Sequence, residues 1–286
     1  MWIFSVFSVL SVLSVFSVFS VHATTKYDES LAKIAINLSQ ASYCVSSTWT
    51  CATCDTANTL EAVVESHGER ALVGYNTNID SLFVAFRGSS NIQNWLDNIQ
   101  FRKIYPYNDT SIGVEKGFYK AYENIRSEVM DALDAAHQKY TTNHLLLTGH
   151  SLGAAITTLM AFDMVVDTTV DVAKENMYSL TVYTFGSPRI GNAPFVQSFS
   201  KWVTSNSRVT HYYDMVPHLP QEALGFLHVP YETWYNEDNT MYTTCTDDVD
   251  HEDDACSDSC APVHCTSTSD HLNYLGIPMG STNGLC

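Results

Sequence analysis

Residues 145–157 read LLLTGHSLGAAIT, and within them Gly149-His150-Ser151-Leu152-Gly153 sets a serine between two glycines where an apolar run becomes an Ala-rich segment. Two chemistries fit a serine so placed. One is a tight turn whose hydroxyl caps the next helix. The other is a nucleophile: G-x-S-x-G with a strand before and a helix after is a strained turn that lifts the hydroxyl out of the sheet edge and aims the helix N-terminus at the reacting oxygen. Side chains at the flanking positions would collide with the adjoining strand and helix, so glycine at both favours the nucleophile.

A serine hydroxyl is a weak nucleophile and needs a base, itself oriented by an acid. In this architecture the chain order is Ser, then Asp or Glu, then His. Asp214 closes the strand-like run Arg208 to Tyr213, where a carboxylate reaches the carboxyl edge of a sheet. Five histidines follow it: His218, His228, His251, His264 and His271. Pattern alone does not choose among them. His271 opens a short apolar segment (Leu272, Tyr274, Leu275, Ile277) able to hold it rigidly, whereas His251 lies in an acidic stretch.

The elements that must position these residues alternate. Residues 27–42 have Leu31, Ile34 and Leu38 at helical spacing. Strand-like runs follow at 60–66, 71–75 and 82–86. Gly117 to Tyr140 reads as one long amphipathic helix, with Phe118, Tyr122, Ile125, Val129 and Leu133 on one stripe. Leu145–Leu147 is a buried strand, Leu152–Val166 an Ala- and Met-rich helix, and Leu180–Phe185 and Arg208–Tyr213 two further strands. Strands alternating with helices predict an α/β fold, a mostly parallel sheet with helices on both faces.

Composition bounds the partners. With 45% hydrophobic and 16% charged residues the chain is globular. A net charge of −17, with 14 scattered Lys and Arg, argues against nucleic acid and against anionic membrane surfaces. Uncharged lipid, sugar esters and polymers remain compatible. The first 23 residues repeat Ser-Val-Phe/Leu without a charge and end in Val21-His22-Ala23, a small-x-small cleavage pattern, so residues 1–23 are expected to be a signal peptide. No later stretch is apolar enough to cross a membrane. The expected product is one secreted, extracellular domain, residues 24–286.

Eight cysteines fit that compartment: Cys44, Cys51, Cys54, Cys245, Cys256, Cys260, Cys265 and Cys286. Cys51-Ala-Thr-Cys54 has redox-site spacing, and Cys256, Cys260, His264 and Cys265 have metal-ligand types, but an even count in a secreted chain favours structural disulfides over both. No metal or other cofactor is expected. Asn108 and Asn37 stand in glycosylation sequons, Asn37 within the first helix. Thr246 to Asp254 holds six acids (Asp247, Asp248, Asp250, Glu252, Asp253, Asp254) without EF-hand spacing, and reads as a solvated, disulfide-pinned loop.

Further motifs run the length of the chain: Phe86-Arg87-Gly88-Ser89-Ser90 with Asn94-Trp95, Phe185-Gly186-Ser187-Pro188-Arg189-Ile190-Gly191-Asn192, Asp214-Met215-Val216-Pro217-His218-Leu219-Pro220, Gly225-Phe226-Leu227-His228, and Asp270-His271-Leu272 with Tyr274 and Gly276. With the Ser151 pentapeptide they make the chain resemble the class 3 lipases, in particular the secreted triacylglycerol lipases of filamentous fungi. The resemblance implies an α/β-hydrolase fold with Ser151 as nucleophile, Asp214 as orienting acid and His271 as base. It also implies an oxyanion hole made by Ser89 and the backbone N–H of Leu152, worth about 3 kcal/mol per donor in the transition state. Carried to the cysteines, it implies Cys44–Cys286, Cys51–Cys54 and Cys245–Cys256, which leaves Cys260 with Cys265. That last pair and the long acidic loop depart from the family's pattern, so pairing among Cys245, Cys256 and Cys260 stays open.

Between Ser89 and Asp97, Ile92, Trp95 and Leu96 recur at i, i+3 and i+4, giving one short helix an apolar face. It is either an ordinary surface helix or a lid that covers Ser151 in water and lays its apolar face on lipid. Such lids resemble those of the lipases, while the related feruloyl esterases carry a more polar segment. The expectation is a monomeric triacylglycerol lipase acting on lipid esters at an oil–water interface. A feruloyl-type or phospholipid esterase is the alternative, and a non-catalytic binding protein the third reading.

Overall fold

Eight strands make one sheet whose spatial order is the order of the chain: β1 (Asn58–Ser66), β2 (Glu69–Asn76), β3 (Ser81–Phe86), β4 (His144–His150), β5 (Ser179–Phe185), β6 (Asn206–His211), β7 (Glu232–Tyr235) and β8 (Tyr242–Thr244). This computed structural model describes residues 27–98, 101–166, 177–261, 263–281, 284 and 286, so the expected signal segment, residues 1–23, lies outside the described residues. β1, β2 and β3 run antiparallel, β3 to β7 parallel, and β8 turns back along β7. His67 and Gly68, between β1 and β2, both have positive φ, the geometry of a tight hairpin that follows the twist of its strands.

Consecutive strand order has a consequence for the layers. Right-handed crossovers between neighbouring parallel strands all pass on one side of a sheet. The helices α2 (Ile92–Asn98), α3 (Lys116–Glu123) and α4 (Arg126–His137) precede β4, α5 (Leu152–Val166) precedes β5, and α6 (Ala193–Trp202) precedes β6. Phe118, Leu133, Leu159, Phe162 and Phe195 of this layer pack with Val84, Phe86, Leu145 and Leu147 in one buried cluster. The other face is left to α1 (Glu29–Cys44), which buries Ala32, Ala35, Ile36 and Leu38 against Phe83, Ala85 and Leu146. Successive residues of β3 and β4 therefore feed opposite cores, as strand alternation requires. Asp28 starts α1 by accepting the N–H groups of Ser30 and Leu31 at 2.8 and 3.2 Å.

Three expectations are corrected. The helix read over 117–140 is two helices, broken at Asn124 and Ile125, where Ile125 leaves helical geometry (φ −126°, ψ −10°). The apolar stripe runs through the break unbroken, with Phe118, Tyr122, Ile125, Val129 and Leu133 all buried, so periodicity could not reveal it. The strand before Asp214 ends at His211, and a turn at Tyr212 and Tyr213 carries the chain to the carboxylate. The acidic loop is only partly solvated. Asp247 accepts Arg208 at 2.9 Å, and Glu252 accepts Arg189 at 2.8 and 2.7 Å, with all four side chains buried.

The cysteines form Cys44–Cys286, Cys51–Cys54, Cys245–Cys256 and Cys260–Cys265. This closes the pairing left open among Cys245, Cys256 and Cys260. It also places the sulfurs of the CxxC pair and of the candidate zinc set in disulfides. No helix among the described residues is long and apolar enough to cross a membrane.

Candidate active site

Ser151 lies between the last residue of β4 and the first of α5, with φ +60°. That conformation is strained for a side chain with a Cβ, and the glycines around it explain how it is held. A Cβ at Gly149 would fall on the Gly153 carbonyl, and one at Gly153 on the Phe86 carbonyl, so strand and helix approach with no room to spare. The Ser151 N–H donates to the Phe185 carbonyl at 3.0 Å, tying the turn to β5. Its hydroxyl oxygen is buried and makes no hydrogen bond among the described residues.

Asp214 and His271 come together from segments 57 residues apart. Ser267 donates its N–H to the Tyr213 carbonyl and accepts the Met215 N–H on its own carbonyl, laying the two loops side by side. The His271 Nδ1–H then donates to Asp214 Oδ2 at 2.8 Å, with His271 fully buried and Asp214 nearly so. Tyr274 donates its hydroxyl to the same oxygen, and the Val216 N–H donates to Oδ1 at 2.8 Å. Burial alone would raise the Asp214 carboxyl, but the His271 imidazole beside it and these donors hold it below its ordinary value. His271 Nε2 is buried with no partner among the described residues, as is the Ser151 hydroxyl, and both residues line one cavity of about 220 Å³.

That cavity is walled by the segment leading into α2, Ser89 to Gln93, and also by Tyr43, His150, Leu272 and residues 279–281. Asn91 caps α2 by accepting the Asn94 N–H at 2.9 Å. Ile92, Trp95 and Leu96 are half-buried, with Trp95 stacked on Phe118 at 6.2 Å between ring centres, while Gln93, Asn94 and Asp97 face solvent. A second cavity of about 710 Å³ lies on the far side of α2 and reaches Ser89 and Leu152. Leu152 opens α5, where the first N–H of a helix lies beyond the reach of its own carbonyls and suits a negatively charged oxygen, and Leu152 and Ser89 both line this cavity.

The other candidate histidines stand elsewhere. His218 lies beside the Cys260–Cys265 disulfide, His228 donates to the Pro217 carbonyl at 2.6 Å, His251 is exposed, and His264 stacks near Tyr213. Sequence reasoning assigned no part to Tyr43 or His150, and took Tyr274 only as one residue of the apolar segment that holds His271. Tyr274 and His150 stood inside quoted motifs, yet neither motif says what the ring touches.

The fold and this arrangement define an α/β hydrolase with a serine, a histidine and an aspartate gathered at the carboxyl ends of parallel strands. The family model for lipase (class 3) matches residues 83–224. The chain is 32% identical over 259 residues to a lipase of Rhizomucor miehei, an alignment covering 87% of this chain and 68% of that protein. It is 33% identical over 153 residues to secreted mono- and diacylglycerol lipase 1 of Fusarium solani, covering 54% of this chain and 43% of that one. The alignment with a Rhizopus niveus lipase spans about half of that protein's length, 49%. A solved triacylglycerol lipase, described as having a serine protease triad for its catalytic centre, superposes with a TM-score of 0.78 at 30% identity, over 88% of this chain and 96% of that one. The chain belongs to the class 3 lipase family.

Proposed function

We propose that the mature chain, residues 24–286, is a secreted monomeric lipase that cleaves carboxylic esters of lipids, triacylglycerols foremost, at an oil–water interface. One observation carries this. Ser151, on its strained strand-to-helix turn, shares a 220 Å³ cavity with His271, whose Nδ1 is held by Asp214 at 2.8 Å, beneath an amphipathic helix that turns Ile92 inward. The relatives named as lipases support the substrate class.

In the proposed reaction His271 Nε2 takes the Ser151 Oγ proton as Oγ attacks the ester carbonyl carbon. The carbonyl oxygen becomes an oxyanion facing the Ser89 hydroxyl and the Leu152 N–H. Collapse breaks the bond to the glycerol oxygen, which leaves with the proton from His271, and the acyl group stays on Ser151. Water, deprotonated by His271, repeats the attack and releases the fatty acid. Asp214 keeps its proton off throughout and stabilises the imidazolium. For substrate to enter, α2 must swing away, exposing Ile92, Trp95 and Leu96 to lipid.

The test is purified mature chain on a triglyceride titrated through its solubility limit, beside a soluble feruloyl ester and a phospholipid. Activity should rise steeply once droplets form. Smooth saturation on soluble esters with none on emulsions would move the assignment to an esterase. Ser151→Ala should cut turnover by about 10⁶ with the fold intact. No hydrolysis by wild type and no fluorophosphonate labelling of Ser151 would leave a binding protein on a hydrolase fold.

A further inference from the structure

We infer that Tyr43 and His150 are positioning residues for the base: one buried line of hydrogen bonds ties the main chain of His271 through the nucleophile turn to Tyr43, on which the Gly88 backbone packs. The inference rests on the proposed roles of Ser151 and His271.

The line is continuous. His150 Nε2 lies 2.8 Å from the His271 carbonyl oxygen, and Nδ1 lies 2.8 Å from the Tyr43 hydroxyl. A carbonyl oxygen only accepts, so Nε2 carries the hydrogen and donates it. Nδ1 of the neutral ring is then an acceptor, and the Tyr43 O–H donates to it. The Gly88 backbone packs directly on the Tyr43 hydroxyl. Gly88 comes so close that a Cβ there would strike the Tyr43 hydroxyl and the His150 carbonyl. Tyr43, His150 and His271 are 6%, 1% and 0% exposed, so these bonds lie out of bulk solvent.

His150 is the residue before Ser151. A single ring therefore links the backbone that carries the nucleophile to the backbone that carries the base. The ring must also be neutral, because its centre lies 4.5 Å from that of His271, where a second positive charge would oppose the imidazolium formed during acyl transfer. Burial pushes the His150 imidazole down to about 3, with the charge of His271 adding to the effect. A second buried imidazole repeats the device one residue earlier: His211 Nδ1 lies 2.9 Å from the Asp270 carbonyl and donates to it. Two consecutive carbonyls at the base are thus pegged by the last residues of β4 and β6. Asp214 orients the ring of His271, and these pegs set where the ring stands. A misplacement of about 1 Å at a reacting atom costs about 10²-fold in rate.

The experiment measures kcat and KM on a soluble short-chain p-nitrophenyl ester, per folded molecule, for wild type, Tyr43→Phe, His150→Gln and His150→Ala. Tyr43→Phe keeps the ring and loses only the donor. It should lower kcat about 10- to 100-fold with KM within about twofold, and slow fluorophosphonate labelling of Ser151 by the same factor. His150→Gln, whose amide can still donate toward the His271 carbonyl, should retain more activity than His150→Ala. The double variant Tyr43→Phe with His150→Gln should lose less than the product of the two single losses, because both cut one line. Tyr43→Phe with wild-type kcat and labelling rate would overturn the inference, as would a loss confined to KM. Failure of wild type to label at Ser151 would instead overturn the assignment of the nucleophile.

Discussion

Glu252→Gln should lower the unfolding temperature sharply, although Glu252 sits in a run of acids that reads as solvated. Its two carboxylate oxygens accept Arg189 Nε at 2.8 Å and Nη2 at 2.7 Å, and Oε1 also accepts the His228 N–H at 3.0 Å. The side chains of Arg189 and Glu252 are 3% and 8% exposed, so an amide in place of the carboxylate leaves a buried guanidinium short of its main counter-charge. Breaking a buried pair in this way costs about 3–5 kcal/mol. Arg189 keeps Asp258 at 3.3 Å and Glu222 at 3.9 Å, which puts the loss at the lower end of that range. For a chain of this size each kcal/mol moves the midpoint by about 2–3 °C, giving a fall of about 6–9 °C.

Thermal unfolding followed by circular dichroism at pH 7 reads this directly. Asp254→Asn is the control, because that side chain is 84% exposed and should shift the midpoint by no more than about 1 °C. The pH dependence follows from sign. Burial alone would raise the Glu252 carboxyl, but His228 beside it, the Arg189 guanidinium that donates to it and the charge of Arg208 hold it well below its ordinary value of 4.5. A carboxyl depressed in the folded state contributes its stability above the unfolded value and loses it as pH falls toward the folded one. The gap between wild type and Glu252→Gln should therefore be widest near neutrality and narrow below about pH 4.5. A Glu252→Gln midpoint within 2 °C of wild type at pH 7, about that of Asp254→Asn, would show that the ion pair contributes nothing and that the loop is solvated after all.

Gly149→Ala should cost at least about 3 kcal/mol in urea unfolding and abolish ester hydrolysis, since the new methyl falls on the Gly153 carbonyl. A stable, active variant would mean that the nucleophile turn can relax. Asp214→Asn should lower kcat by about 10⁴ with little change in KM, because an amide N–H facing His271 Nδ1 disfavours the tautomer the base needs. Loss of less than tenfold would remove Asp214 from the proposed machinery.

The nucleophile turn was legible because everything that makes it is local. The strand, both glycines, Ser151 and the first turn of α5 fall within a dozen residues, and steric exclusion at Gly149 and Gly153 acts between near neighbours in the chain. Much of the sheet was legible for a similar reason, since β3, β4 and β5 carry apolar runs, whereas β6 is buried yet reads Asn-Ser-Arg-Val-Thr-His. The short strands β7 and β8 were not legible, as β8 is exposed and β7 carries a glutamate buried against Arg208 and Thr210. The choice of base lay between these cases. Five histidines followed Asp214, and what selects His271 is the pairing of the 267–271 loop with the 213–215 loop, a contact that no local pattern encodes.

Charge was the poorest guide for the same physical reason. Whether a carboxylate is solvated depends on what folds over it, and Asp247 and Glu252 lie 39 and 63 residues from the arginines that cover them. A run of acids supplies many chances for one to face inward, and a buried arginine selects whichever side chain the backbone brings within reach. His150 makes the same point for a neutral group. As the variable position of G-x-S-x-G it carries no requirement in the local pattern, yet the fold surrounds it with one donor and one acceptor, from Tyr43 and His271 at 107 and 121 residues' distance. Few side chains besides a neutral imidazole can accept on one edge and donate on the other at that spacing. The position is free by motif and constrained by topology, and the rate of Tyr43→Phe measures how much of catalysis lies in the second.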